Sequence, residues 1–252
     1  MTRIVAIHQP NFLPWLGYFN KIARADVFIL LDNVQYSKTG GTWSNRVQFA
    51  MRGQATWVTV PIVRAYHGVR RINEMRINGG PWRARVLRTL RTAYGRAPYA
   101  SIVFPLVEQM VNNPTDVLVD YNASAIQSLM AALELNRAEL LRASSLGVTG
   151  QSTDLLVRLV KAVDGTTYLC GGGAADYQDD AKFASSGIDL EYQDFCHPVY
   201  RQGRHPFVAG LSIVDTLMHC GIDVTRTLVL DRQTKTLGEG LIRPADSAGR
   251  RD

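Results

Sequence analysis

Short apolar runs alternate with longer amphipathic stretches from the first residues of the chain. Arg3 to His8 (RIVAIH) is a β-branched run, Gln9 to Pro14 is a loop punctuated by proline, and Trp15 to Arg24 places Leu16, Phe19, Lys21 and Ile22 where a helix would have one apolar face. Val27 to Leu31 (VFILL) is continuously apolar and too short for a helix of its own. Strand, loop, helix and buried strand in that order predict the opening of a parallel α/β sheet.

From Tyr36 to Ile62 the pattern changes: Trp43 to Phe49 and Thr56 to Ile62 are strand-like and separated by Arg52-Gly53, which predicts an inserted hairpin. Pro81 then opens a helix to about Tyr94, with Trp82, Val86, Leu87, Leu90 and Tyr94 on one face and Arg85, Arg88 and Arg91 on another. Helices are expected over Phe104 to Val111, Pro114 to Leu133 and Thr153 to Val163, and a last one from Leu211 to Cys220, stopped by Gly221. Leu140 to Ala143, Thr167 to Cys170 and Ile188 to Tyr192 are the remaining strands. The expected fold is α/β and Rossmann-like: a mostly parallel sheet with helices on both faces, an inserted β-hairpin and a helical insertion. One domain would span 1–238, with the insertion at about 39–135 and a disordered tail at 239–252.

Composition narrows the class. At 252 residues with 46% apolar content the chain can bury a sizeable core, and 20% charged residues with no long apolar run exclude membrane insertion through a spanning helix. Three cysteines, Cys170, Cys196 and Cys220, are odd in number and widely spaced, which points to a reduced cytoplasmic setting; no metal site is expected, because the pairs Cys196-His197 and His219-Cys220 lack metal-ligand spacing. The net charge of +6 is unevenly placed: nine arginines lie between Arg64 and Arg96 against one acid, Glu74, so that segment carries +8 and the rest of the chain −2. An anionic partner is expected for it, through Arg85, Arg88 and Arg91, separate in sequence from the loops that follow the strands.

Ligands of open parallel sheets bind beyond the carboxyl ends of the strands, so those loops are where chemistry is expected. His8, Gln9 and Asn11 follow the first strand; Asp32, Gln35, Tyr36 and Lys38 follow the second; Ser144 and Ser145 follow the third; Gly171, Gly172 and Gly173 with Asp176 and Tyr177 follow the fourth. An imidazole at a strand end serves as acid, base or phosphate donor, a carboxylate such as Asp32 orients an amine or a ribose hydroxyl, and glycines let backbone N–H groups approach an anion. The segment with His197, Tyr200 and Gln202 has no clear periodicity and fits a loop closing over a pocket.

The motifs HQPNFLPWLGYFNKI (8–22), DNVQYSK (32–38), WSNR (43–46), YGRAPY (94–99), SSLGVTG (144–150), YLCGGGAADYQ (168–178), HPVYRQ (197–202) and FVAGLSIVDTLMHCG (207–221) resemble those of the WbqC-like family, found in gene clusters for bacterial surface polysaccharides and natural products. That resemblance adds Trp43, Asn45 and Arg46 to the substrate-binding candidates. More distantly, the opening resembles pantothenate synthetase and other HIGH-type nucleotidylyltransferases, which implies a HUP-type sheet and ATP with magnesium as cofactor. The histidine pair of those enzymes is not carried over, since Phe12 and Trp15 stand at its positions and His8 is the nearest imidazole.

Together these resemblances imply an amide-forming ligase or acyl/aminoacyl transferase joining a small acyl donor, such as glycine, to a small-molecule amine, with His8, Asp32 and Lys38 as catalytic residues. Two alternatives stay open: an acyltransferase without ATP that is fed by an acyl carrier protein or aminoacyl-tRNA, and a non-catalytic binding protein of a glycan-assembly complex.

Overall fold

The structure, a computed structural model, describes residues 2–37, 42–171 and 178–231. Its centre is a five-stranded parallel sheet of β1 (Ile4–His8), β2 (Val27–Leu30), β5 (Glu139–Arg142), β6 (Thr167–Gly171) and β7 (Asp189–Gln193), in the spatial order β5-β2-β1-β6-β7. Val5 faces Val27 on one side of β1, and Tyr168 on the other. Alternation along these strands sends Ala6, Phe28, Leu30 and Leu169 into one core and Val5, Ile7, Val27, Ile29 and Tyr168 into another. The second core is closed by α5 (Ser152–Ala162) and α6 (Asp180–Ser185), through Leu155, Leu159, Val160 and Phe183. The first is closed by α1 (Leu16–Arg24) and α7 (Ile213–Leu230). Both faces are therefore covered, which is why the inner strands β1 and β2 are apolar without a polar alternation.

Between β2 and β5 lie a hairpin of β3 (Arg46–Met51) and β4 (Gln54–Thr59) and three helices, α2 (Trp82–Tyr94), α3 (Ala100–Val111) and α4 (Leu118–Ala132). The hairpin turns on Arg52-Gly53, both at positive φ (53° and 77°), the geometry of a two-residue turn whose twist matches its strands. These elements share the first core, to which they contribute Phe49, Val86, Leu90, Val103, Val107, Ile126 and Leu129. Asn122 of α4 donates from Nδ2 to the Pro10 carbonyl at 2.9 Å and to the Ser44 carbonyl at 2.7 Å, so the insertion holds down the loop that follows β1. In that loop Leu13 is buried at φ 40°, a strained conformation for a γ-branched residue ahead of proline, and the Pro14 carbonyl receives the N–H of Ile213.

Several expected boundaries differ: α3 begins at Ala100 instead of Phe104, and the hairpin strands run over Arg46–Met51 and Gln54–Thr59 instead of 43–49 and 56–62. Gly221 (φ 79°, ψ 176°) kinks the last helix but does not stop it, because Leu228 and Val229 still find apolar cover and Thr225 Oγ1 satisfies the Gly221 carbonyl at 2.6 Å. The helix expected from Pro114 begins at Leu118, after Asn113 and Thr115 have accepted backbone N–H groups through their side chains. The expected tail at 239–252 lies outside the described residues. No described helix is long and apolar enough to cross a membrane.

Candidate functional site

The chain runs from β1 outward to β2 and β5, then returns to place β6 on the other side of β1, so neighbouring loops diverge above β1 and β6. A reversal of strand order of this kind opens a crevice at the carboxyl end of the sheet. A cavity of about 660 Å³ lies there. His8 and Gln9 from the end of β1 and Gly171 from the end of β6 line it, with Trp15, Gly17, Tyr18 and Lys21 of α1 and its entry, Tyr168 of β6, Leu156 of α5, Gln178, Gln193 and Phe195.

Lys21 is 2% exposed, and its ammonium donates to the Ile7 carbonyl at 3.1 Å and sits 5.9 Å from the Tyr168 ring centre. Burial brings its pKa down to about 8. Burial, and then the Lys21 charge, bring His8 down to about 4, so its imidazole is neutral at physiological pH. The His8 Nδ1 lies 3.1 Å from the Gln9 carbonyl, an acceptor only, so Nδ1 carries the proton and Nε2 is left as an acceptor. Tyr18 packs edge-on against His8 at 4.8 Å and donates to the Gln9 carbonyl at 3.1 Å. A Cβ on Gly17 would stand 2.2 Å from the Trp15 ring, so only glycine lets that indole lie on the helix as a cavity wall. Gln193 Nε2 ties β7 to α1 through the Gly17 carbonyl at 2.7 Å and Asn20 Oδ1 at 3.0 Å.

Of the residues expected from the sequence, the cavity gathers His8, Gln9 and Gly171. Asn11 is buried in the loop beside them. Asp32 is fully buried and accepts from Ser144 twice, from its N–H at 2.9 Å and its hydroxyl at 2.6 Å, which fastens the end of β2 to the turn after β5; Ser145 caps the Arg142 carbonyl at 2.7 Å. Gln35 and Tyr36 line a second cavity of about 400 Å³ with Ser37, Tyr66, Gly68, Val69 and Arg70. The Tyr36 hydroxyl donates to Asn45 Oδ1 at 2.8 Å, and Asn45 Nδ2 to the Val60 carbonyl at 3.0 Å, so this pair braces the base of the hairpin. Trp43 is exposed, 5.0 Å from Trp57, over which the Arg46 guanidinium lies at 4.2 Å. Lys38, Gly172, Gly173, Asp176 and Tyr177 lie outside the described residues.

His197 backs the cavity rather than lining it, with its ring 6.3 Å from that of Trp15 and burial lowering its pKa. Tyr200 and Gln202 turn to the buried carboxylate of Asp215 at 2.6 and 2.8 Å. Lys21, Trp15, Tyr18, Tyr168, Gln178, Gln193 and Phe195 are among the lining residues that sequence reasoning missed. Lys21 carried one signal: it is a lysine on the apolar face of an amphipathic helix, where a charge is otherwise unexpected.

Arg85, Arg88 and Arg91 are exposed on α2, with Arg91 paired to Glu108 at 2.5 Å. The early part of the arginine segment is placed differently. Gln35 bridges Arg71 antiparallel, and the Arg70 carbonyl receives the N–H of Tyr36, so the loop bearing Arg64, Arg70 and Arg71 lies beside the extension of β2 at the carboxyl end of the sheet. The separation in sequence is therefore not a separation in space for these three.

Fold and crevice define a Rossmann-like α/β protein with a ligand-sized cavity at its switch point. The chain belongs to the WbqC-like protein family, whose model matches residues 9–227. It is 28% identical over 231 residues, 91% of this chain and 99% of the relative, to an uncharacterized protein of Mycobacterium tuberculosis. No solved structure matches.

Proposed function

We propose that the protein is a biosynthetic amide-forming enzyme that transfers an activated small acyl group to the amine of a sugar or natural-product intermediate. One observation carries the reading: the cavity at the switch point joins a neutral imidazole, His8, to a buried ammonium, Lys21, with no carboxylate among its described lining residues. In amide formation the amine nitrogen bonds to the acyl carbon, the bond from that carbon to its leaving group breaks, and the nitrogen sheds a proton. Nε2 of His8 is the acceptor for that proton. ATP with magnesium is the activating group: among the described residues a Cβ at Gly171 would meet nothing within 4 Å, which leaves room for a phosphate, and Mg²⁺ would ride on the nucleotide's own phosphates. Thermal shift with ATP-Mg²⁺ and with nucleoside diphosphate amino sugars tests this, because a ligand bound only by the native state raises the midpoint. A rise of several degrees with either is expected, and no rise with any nucleotide or sugar nucleotide rejects the reading.

A second reading is favoured by the position of Arg64, Arg70 and Arg71 at the carboxyl end of the sheet: the acyl group arrives on a large anionic carrier, an acyl carrier protein or an aminoacyl-tRNA, and no ATP is used. Binding of such a carrier would weaken steeply with salt. The expected result is a loss of about tenfold or more between low and moderate ionic strength, and a comparable loss when Arg64, Arg70 and Arg71 are changed to Ala. Salt-independent binding, or none, eliminates it.

A further inference from the structure

A buried ammonium is ordinarily paired with a carboxylate, because taking an ion out of water costs several kcal/mol that one neutral hydrogen bond does not return. Lys21 departs from this. Among the described residues its hydrogen bond is to the Ile7 carbonyl, its other neighbours are the His8 imidazole, the Cys170 thiol and the face of Tyr168, and no acidic side chain is among the described residues lining the cavity into which it opens. Gln178 also lines the cavity; its Nε2 donates to Asp180 Oδ1 at 3.0 Å, and its buried Oε1 has no hydrogen-bond partner among the described residues. Among the described residues, a cation without a carboxylate and a side chain with an unsatisfied acceptor border one cavity, which is complementary to a ligand with one negative charge and one N–H or O–H donor.

We propose that Lys21 is the anchor for the carboxylate of a small amino acid, whose ammonium or amide hydrogen is received by Gln178. The charge count favours a carboxylate over a phosphate. Lys21 is the only cationic side chain among the described lining residues, and a phosphate dianion that brings no Mg²⁺ of its own, unlike the ATP-Mg²⁺ of the reading above, would leave a net negative charge in a cavity walled largely by Trp15, Tyr18, Tyr168 and Phe195. A monoanion neutralises Lys21 without excess. The inference takes this cavity as the substrate site of the reading above and names the acid it holds; it does not depend on which chemistry follows.

The protein has only five lysines, so a chain labelled with [13C]lysine gives five Cε signals, and the Lys21 signal is assigned by its loss in Lys21→Met. In the free protein it should titrate near 8, the position to which burial lowers it. Saturating glycine or phenylalanine should move that midpoint up by about one unit or more, because the bound carboxylate favours the charged form, and inorganic phosphate should move it less. Lys21→Met and Gln178→Leu should each weaken amino-acid binding about tenfold or more, with unchanged circular dichroism. The inference is overturned if no amino acid moves the midpoint, or if phosphate moves it further than any carboxylate does. Failure of the two readings can be told apart: a shifted midpoint without amide formation rejects the catalytic reading alone, and amide formation whose saturation by the acid is unchanged in Lys21→Met rejects only the anchor.

Discussion

Changing Asp215 to Ala is expected to lower stability by about 3–5 kcal/mol, the largest loss for any single side chain outside the apolar core. The carboxylate is fully buried in the first turn of α7, behind the Ser212 cap, where the positive end of the helix favours a negative charge. Its Oδ2 accepts from the Tyr200 hydroxyl at 2.6 Å and from Gln202 Nε2 at 2.8 Å. Both donors hold further structure: Thr216 donates to the Tyr200 oxygen at 2.9 Å, and Gln202 clamps Val208 through its N–H at 2.7 Å and its carbonyl at 3.0 Å. Alanine removes the shared acceptor and leaves a phenol and an amide buried without it, at about 1–3 kcal/mol each. Asp215→Asn keeps an acceptor oxygen and most of the volume, and should lose about 1–2 kcal/mol. Urea unfolding of the three proteins reads both values. A loss below about 1 kcal/mol in the alanine variant would show that the loop over residues 197–208 is held by its aromatic contacts instead.

Asp215 also shows where sequence reading stops. Helices, strands and the hairpin were legible because each has a local signal: the short apolar runs of β1, β2 and β6, the Arg52-Gly53 turn, the 3.6-residue spacing in α2. That His8, Gln9 and Gly171 border the crevice was legible for a related reason, since a residue at the end of an inner parallel strand is delivered there by topology alone. Asp32, Tyr36, Asn45, Tyr200 and Gln202 share the same composition as ligand-binding groups, but their partners are other side chains or backbone groups of this chain, up to 112 residues away in the case of Asp32 and Ser144. A polar residue satisfied internally and one that awaits a ligand look alike until the partner is seen. Lys21 was hidden by the opposite error. Helical periodicity assigned it to an apolar face, and that assignment is correct; what periodicity does not carry is that this face borders a cavity and not only packed side chains.

His8→Gln is expected to reduce amide formation by about 100-fold or more while leaving the fold intact at neutral pH, since glutamine keeps a polar side chain of similar length but takes up no proton. Because the folded imidazole is neutral at every pH well above about 4 and Lys21 is charged below about 8, the wild-type rate should hold a plateau between those values. The alkaline limb should persist in whatever residual activity His8→Gln retains, as it belongs to Lys21. The same shift has a consequence for stability that needs no substrate. An unfolded histidine binds its proton near pH 6.5, whereas folded His8 resists protonation until about pH 4, because burial and the Lys21 charge disfavour the imidazolium. Between those pH values the unfolded chain holds more protons, so acid draws the equilibrium toward it. Wild type should therefore lose stability relative to His8→Gln as the pH falls from 6.5 toward 4, by on the order of 3 kcal/mol at the end of that interval, and the two should run parallel above pH 7. Carboxylates that titrate over the same range contribute equally to both proteins and cancel in the difference. Acid limbs that superimpose would mean that folded His8 takes up its proton near pH 6.5, as the unfolded chain does, and the rate plateau would then have to end there instead of near 4.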